Sequence, residues 1–167
     1  MHQNYTKVSG LTEKLAVAEV IENAVKLHSS SLAERSIALA REYEAVPLVL
    51  VDKHKFLQIM GNLLLNAKQA CDEAEEPDKQ IVIRIKALEK QRIGIEVADN
   101  GVGIPQENLT RIFAQGFTTR KEGHGFGLHS AALAAKEMMG SLVVHSDGPG
   151  TGAAFTLELP LQPKGPA

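Results

Sequence analysis

The sequence predicts an α+β domain, a mixed or antiparallel sheet covered by helices on one face. Three observations carry that expectation. Period-two runs outnumber helical ones, the two do not alternate regularly as in a parallel βαβ fold, and the longest helical segment concentrates its apolar residues in one stripe that needs a sheet to rest on. A chain of 167 residues suits a single domain with its own core.

The elements follow in order. Val17 to Leu32 places Val17, Val20, Ile21, Ala24, Val25 and Leu27 at helical spacing. "SIALAREYE" and "VPLVLVD" are short, bounded runs that suit two strands. Asp52 is placed to N-cap a long helix running to about Glu75 and stopped by Pro77. "IVIRIKAL" and "RIGIEVA" alternate strictly, with Ile81, Ile83, Ile85 and Ile93, Ile95, Val97 on one side of each. Residues 99–127 are rich in glycine and polar groups with no long periodic element, and a connection of that length in a compact domain usually serves function or motion. Leu128 to Met139 reads as a helix ending at Gly140, and "SLVVHS" and "GAAFTLELP" as closing strands around the turn "DGPGTG".

Composition excludes several classes. With 23% charged residues and a net charge of −2, the chain lacks the basic surplus that phosphate-backbone binding requires, so no nucleic-acid partner is expected. No apolar run approaches the roughly 18 residues of a membrane span, so no membrane contact is expected of this domain. One cysteine, Cys71, cannot make an internal disulfide; it reads as a small core residue, in keeping with a cytoplasmic location.

Three local features stand out. On the long helix, Phe56, Ile59, Met60, Leu63, Leu64, Ala67, Ala70, Cys71 and Ala74 fall in an arc of about 140°. Gln58, Asn62, Asn66, Gln69 and Glu73 form a polar stripe opposite. A solvated face would serve better with Lys or Glu, because Asn is a mediocre helix former, and a neutral amide carbonyl is a suitable ligand for Mg²⁺. Next, "VADNGVGIP" ends an apolar strand on Asp99 and Asn100 and brackets Val102 with Gly101 and Gly103. Finally, "GHGFGLHS" sets Gly123, Gly125 and Gly127 before a helix, either as a flexible turn or as an anion site favoured by the helix's first amides and dipole. Neither the dinucleotide fingerprint nor the P-loop is present.

In order, "NLLLNAKQA", "DNGVGIP", "IFAQGFTTR", "GHGFGLH" and "GPGTGAAF" resemble the Asn, first-glycine, Phe, second-glycine and third-glycine boxes of sensor histidine kinase catalytic domains, within the GHKL superfamily. The resemblance covers about residues 17–160 and is closest to the nitrogen-regulator type. It implies a two-layer α/β sandwich of the Bergerat type: a largely antiparallel sheet of about five strands, three main helices on one face and a mobile ATP lid. It also implies ATP and Mg²⁺ as ligands. By position, Asp99 accepts from the adenine amino group, Gly101, Gly103 and Ile104 pass beside the base, and Thr156 joins Asp99 there through water. Asn66, with Asn62 beside it, holds Mg²⁺; Gly123, Gly125, Gly127 and Leu128 line the phosphates. Arg120, and with it Lys121, either meets the γ-phosphate or belongs to a solvated basic loop. Phe113 and Phe117 match the Phe box, as lid anchors or ligand contacts. His124 and His129 are expected to belong to the lid or surface. Lys68 lies one place earlier than the lysine of many relatives, which argues against a phosphate contact. The third-glycine turn is expected to be hairpin chemistry.

In hydrolysing relatives a Glu one helical turn before the metal Asn activates water. That position is Asn62, whose amide cannot take a proton at neutral pH, so the resemblance points to a kinase. The expected organisation is the end of an upstream phosphotransfer helix in residues 1–12, the ATP-binding domain in 13–160 and a tail in 161–167. No histidine here has a phosphoacceptor setting. The chain is therefore expected to bind ATP without phosphorylating itself, to be a monomer alone, and to come from a homodimeric parent, anchored in the inner membrane or not. The implied partners are that parent's phosphoacceptor histidine domain and a response regulator. The alternatives are an anti-sigma-type protein-serine kinase and a non-catalytic nucleotide-sensing module.

Overall fold

A computed structural model describes residues 12–114, 117 and 127–161. The expectations for residues 1–11, the tail beyond 161, Arg120, Lys121, Gly123, His124 and Gly125 lie outside the described residues.

The chain runs β1 (Glu13–Leu15), α1 (Val17–Glu34), β2 (Ala38–Tyr43), β3 (Val49–Val51), α2 (Lys53–Glu73), β4 (Gln80–Leu88), β5 (Arg92–Asp99), a single 3₁₀ turn (Gln106–Asn108), α3 (Gly127–Glu137), β6 (Ser141–His145) and β7 (Ala153–Pro160). Five strands form one sheet in the order β2-β4-β5-β7-β6, with β2 parallel to β4 and every other pairing antiparallel. The α+β class, the five-stranded mixed sheet and the three main helices are as expected.

Two details differ from the expectation. "VPLVLVD" contributes only Val49–Val51, and these residues pair not with the main sheet but with the unanticipated β1, Glu13 opposite Val51. The preceding run, β2, instead takes the sheet edge beside β4.

Period-two alternation sends Ile81, Ile83 and Ile85, Ile93, Ile95 and Val97, and Phe155, Leu157 and Leu159 to one face, all buried. Against that face lie α1 through Val20, Ile21 and Ala24, α2 through Phe56, Met60, Leu63 and Leu64, and α3 through Ala131 and Ala135. Truncating a side chain such as Leu63 to Ala would cost about 2–5 kcal/mol at such a site. The opposite sheet face is polar: Arg84 bridges Glu42 and Glu96 at 2.8 and 2.6 Å.

Asp52 caps α2, its Oδ1 accepting from the Lys55 amide at 3.1 Å. Beside it α1 runs parallel, joined by rungs from Ser31 to Lys68 and from Arg35 to Asp72, each 2.8 Å long. The third helix faces the other flank of α2, tied by Lys55 to Glu137 at 3.3 Å. The polar stripe of α2 therefore turns toward α3. Asn62, Asn66 and Gln69 are half-buried, whereas Gln58 and Glu73 are exposed.

Candidate functional site

The site is built where β5 ends. Alternation that buries Ile93, Ile95 and Val97 also directs Asp99 to the helix side of the sheet. Asp99 pairs with Ile81 on one side and Ala153 on the other. Its Oδ1 accepts from the Gly101 amide at 2.8 Å, which fixes the carboxylate at the strand end. It faces a cleft between α2 and the chain beyond β5, with Asn66 and Ala70 on the helix side and Ile104, Asn108 and Phe117 on the other.

The glycines after Asp99 have a reason the sequence did not expose. A methyl on Gly101 would lie 2.5 Å from the backbone carbonyl of Ala70 and 2.8 Å from the Cys71 nitrogen. Gly103 has φ +74° and is pressed against the Gly148 carbonyl. Both positions clear space for protein backbone, α2 on one side and the β6–β7 turn on the other. The loop is then pinned by Val102 N to Ala70 O at 3.1 Å, Gly150 N to Val102 O at 2.6 Å and Gly152 N to Gly101 O at 3.1 Å. Gly103 lines the cleft, whereas the side of Gly101 that a Cβ would occupy faces α2. The third-glycine turn is hairpin chemistry as expected, with Gly148, Gly150 and Gly152 all at positive φ.

Asn100 is structural: its Oδ1 accepts from Gln80 N at 2.8 Å and its Nδ2 donates to Asp78 O at 2.6 Å, which ties the start of β4 to the end of β5. Cys71, fully buried beside it, has a thiol pushed up to about 11, first by burial and then by the charge of Asp99.

The expectation for Thr156 is corrected. In β7 the buried positions are Ala153, Phe155, Leu157 and Leu159, so Thr156 belongs to the outer sheet face, opposite Glu96 and Val143. The β7 residue paired with Asp99 and lining the cleft is Ala153.

Gly127 is the first described residue of α3, and a methyl placed on it would lie 3.6 Å from Asn62 Oδ1. Asn62 thus faces α3, one turn from Asn66 in the cleft. Leu128 packs on the core. Lys68 turns away to donate to Ser31 Oγ, as its shifted position suggested. Phe113 meets Phe155 edge to face at 6.1 Å and is a core anchor, whereas Phe117 lines the cleft. His129 Nδ1 lies 3.0 Å from the Phe113 carbonyl, which holds the first turn of α3 to the segment before it. Sequence reasoning passed over Ser146, which is buried; its hydroxyl accepts from Ile104 N at 3.0 Å and donates to Gly152 O at 2.7 Å. It also passed over Asn108, buried in the cleft wall. Neither has a local sequence signal, since each is defined by what folds over it.

Among the described residues no group of three or more His, Cys, Asp or Glu side chains gathers in metal-binding fashion, so no all-protein metal cage is present there. Two amide oxygens one helical turn apart instead suit a hard cation whose remaining ligands are phosphate and water oxygens.

A two-layer sandwich whose strand-end carboxylate faces a cleft lined by an asparagine of the neighbouring helix has the architecture of a GHKL nucleotide-binding domain. The chain belongs to the family described as histidine kinase-, DNA gyrase B-, and HSP90-like ATPases, which its residues 51–163 match. Among curated relatives it is 31% identical over 144 residues to the sensor histidine kinase ZraS of Klebsiella oxytoca, covering 86% of this chain and 30% of that protein. It is 30% identical to the sensor protein DegM of Bacillus sp. (strain B21-2), covering 86% and 37%. The chain thus spans about a third of the length of these relatives. The catalytic domain of histidine kinase ThkA superposes with a TM-score of 0.79 at 23% identity, covering 91% of this chain and 99% of that one. Full-length ShkA in complex with AMPPNP superposes at 0.78 and 24% identity, covering 89% and 31%. Both likenesses concern the fold. No helix among the described residues is long and apolar enough to cross a membrane.

Proposed function

We propose that the cleft binds Mg-ATP and that this domain is the catalytic module of a sensor histidine kinase, supplying the γ-phosphoryl to a histidine on another domain of its parent and, through it, to a response regulator. The observation that carries the reading is Asp99, a carboxylate anchored by Gly101 N at 2.8 Å and facing a cleft that Asn66 also lines. A carboxylate at that position accepts from the adenine amino group and rejects guanine, whose carbonyl would set acceptor against acceptor. Asn66 and Asn62 would hold Mg²⁺, which supplies charge neutralisation for the triphosphate. The glycine-rich approach to α3, as the sequence places it, would offer amides to phosphate oxygens. Gly123, Gly125 and Arg120 are assigned to the phosphates on sequence alone.

Asn62 stands where a hydrolase needs a base, and its amide does not take a proton from water. The γ-phosphoryl is thereby kept for a stronger nucleophile. An imidazole nitrogen of the acceptor histidine bonds to the γ-phosphorus as the bond to the β–γ bridging oxygen breaks, and ADP leaves. The likeness to sensor kinases and to a neighbour solved with AMPPNP supports this reading over the serine-kinase and nucleotide-sensing alternatives.

Calorimetric titration with Mg-ATP and Mg-GTP is the first test. The chain should bind the adenine nucleotide selectively, Asp99→Asn should lose that selectivity and Asn66→Ala should lose the Mg²⁺ dependence. Full selectivity in Asp99→Asn would remove the base assignment. Incubation with γ-labelled ATP and a separate phosphoacceptor domain should leave acid-labile label on its histidine; acid-stable label would establish the serine-kinase alternative instead.

A further inference from the structure

Arg111 is exposed, yet its guanidinium is engaged at both ends by residues that wall the cleft. Its Nη2 donates to Asn108 Oδ1 at 2.8 Å, and its central carbon lies 5.1 Å from the centroid of the Phe117 ring. Asn108 and Phe117 both line the cleft that contains Asp99 and Asn66; Arg111 itself is not one of its lining residues. A surface arginine ordinarily remains hydrated or finds a carboxylate. Here it takes a neutral amide and an aromatic face, the second a cation–π contact.

The backbone explains how these three meet. Successive turns join Asn108 N to Pro105 O (2.9 Å), Arg111 N to Asn108 O (3.0 Å), Ala114 N to Arg111 O (2.9 Å) and Phe117 N to Ala114 O (3.1 Å). Along these bonds Asn108, Arg111, Ala114 and Phe117 recur at every third residue, with Arg111 between the two residues it engages. Alanine at 114 leaves the guanidinium room to reach past it to the ring.

We propose that Arg111 is a positioning residue for the nucleotide: held by Asn108, it caps the Phe117 ring and keeps that ring in place as a wall of the cleft. The proposal rests on the nucleotide reading above and specifies which side chains shape that cleft.

The test uses Phe117→Trp, which gives the chain its only tryptophan. In the nucleotide-free protein, adding Arg111→Met should shift the emission to the red and increase quenching by acrylamide, while Arg111→Lys keeps most of the shielding. Unchanged emission and quenching would overturn the proposal, and this readout stands whether or not nucleotide binds. With Phe at 117, Arg111→Met should weaken Mg-ATP by roughly two- to fivefold, the range of an exposed cation–π contact, with partial rescue by Lys. With Leu at 117, the same Arg111→Met change should cost nothing further. An equal loss in both backgrounds would mean that Arg111 contacts the nucleotide directly and not through the ring, which also overturns the proposal. Thermal melts of all variants separate these effects from a general loss of folding. If the unaltered chain binds no Mg-ATP, the functional reading fails, and the tryptophan measurement alone judges the role of Arg111.

Discussion

Gly101→Ala adds one methyl group at the point where the loop after β5 crosses α2. That methyl would sit 2.5 Å from the Ala70 carbonyl atoms and 2.8 Å from Cys71 N, all backbone of a packed helix and unable to swing aside. Restoring ordinary carbon contacts requires about 1 Å of movement by the loop. The loop carries Val102 N to Ala70 O at 3.1 Å, Gly152 N to Gly101 O at 3.1 Å and Gly101 N to Asp99 Oδ1 at 2.8 Å, and a shift of that size lengthens or misaligns each. Overpacking costs about 1–3 kcal/mol and the three partly weakened hydrogen bonds together about 1 kcal/mol, so the expected loss is about 2–4 kcal/mol. That is a substantial share of the about 5–15 kcal/mol that holds a domain folded. A domain of this size loses about 2–4 °C of Tm per kcal/mol, so melting followed by circular dichroism should fall by roughly 5–15 °C. Because the third of those bonds orients Asp99, adenine-nucleotide affinity should fall with it even at temperatures where the variant is folded. A Tm within 2 °C of the parent, or full affinity alongside the expected Tm loss, would refute the claim that this glycine serves helix contact and carboxylate placement together.

Further outcomes follow from the same contacts. The Cys71 thiol is raised in the native state, so its contribution to stability is complete below the unfolded value of about 8.5 and is lost as pH rises toward 11. Urea midpoints at pH 8 and 10.5 should therefore show the stability gap between the parent chain and Cys71→Ala narrowing by about 2 kcal/mol; parallel curves would contradict the assignment. His28 is held below the ordinary histidine range, first by burial and then by the charge of Lys68. Lys68→Met should raise its NMR titration midpoint part of the way back while leaving Mg-ATP affinity within about twofold, since Lys68 points at Ser31. A tenfold loss of affinity would restore Lys68 to the phosphate site. Thr156→Val, on the outer sheet face, should likewise leave adenine selectivity unchanged in competition binding.

Much of the fold was legible because it rests on local periodicity. The alternating isoleucines of β4 and β5, the apolar arc of α2 and the Asp52 cap are rules of single elements, and each appears within a residue or two of its expected place. Legibility failed where pairing decides. Nothing within "VPLVLVD" says that it will join a three-residue strand outside the main sheet. The alternation along "GAAFTLELP" was visible, but which of its two faces meets Asp99 depends on register with β5, and that register selects Ala153 over Thr156.

The sequence by itself determined that this chain folds as an α+β sandwich and carries the Asn, glycine and Phe motifs of its family, because those depend on residue type and spacing along one chain. The tertiary structure decided what those residues touch. Gly101 faces α2 and not open cleft, Asn100 and Ser146 brace the loop, and Arg111 joins two cleft residues nine positions apart. The contacts of Gly101, Asn100 and Ser146 join separate stretches of backbone, set by how the sheet, the helices and the turns close on one another, and those of Arg111 depend on the turns of its own segment.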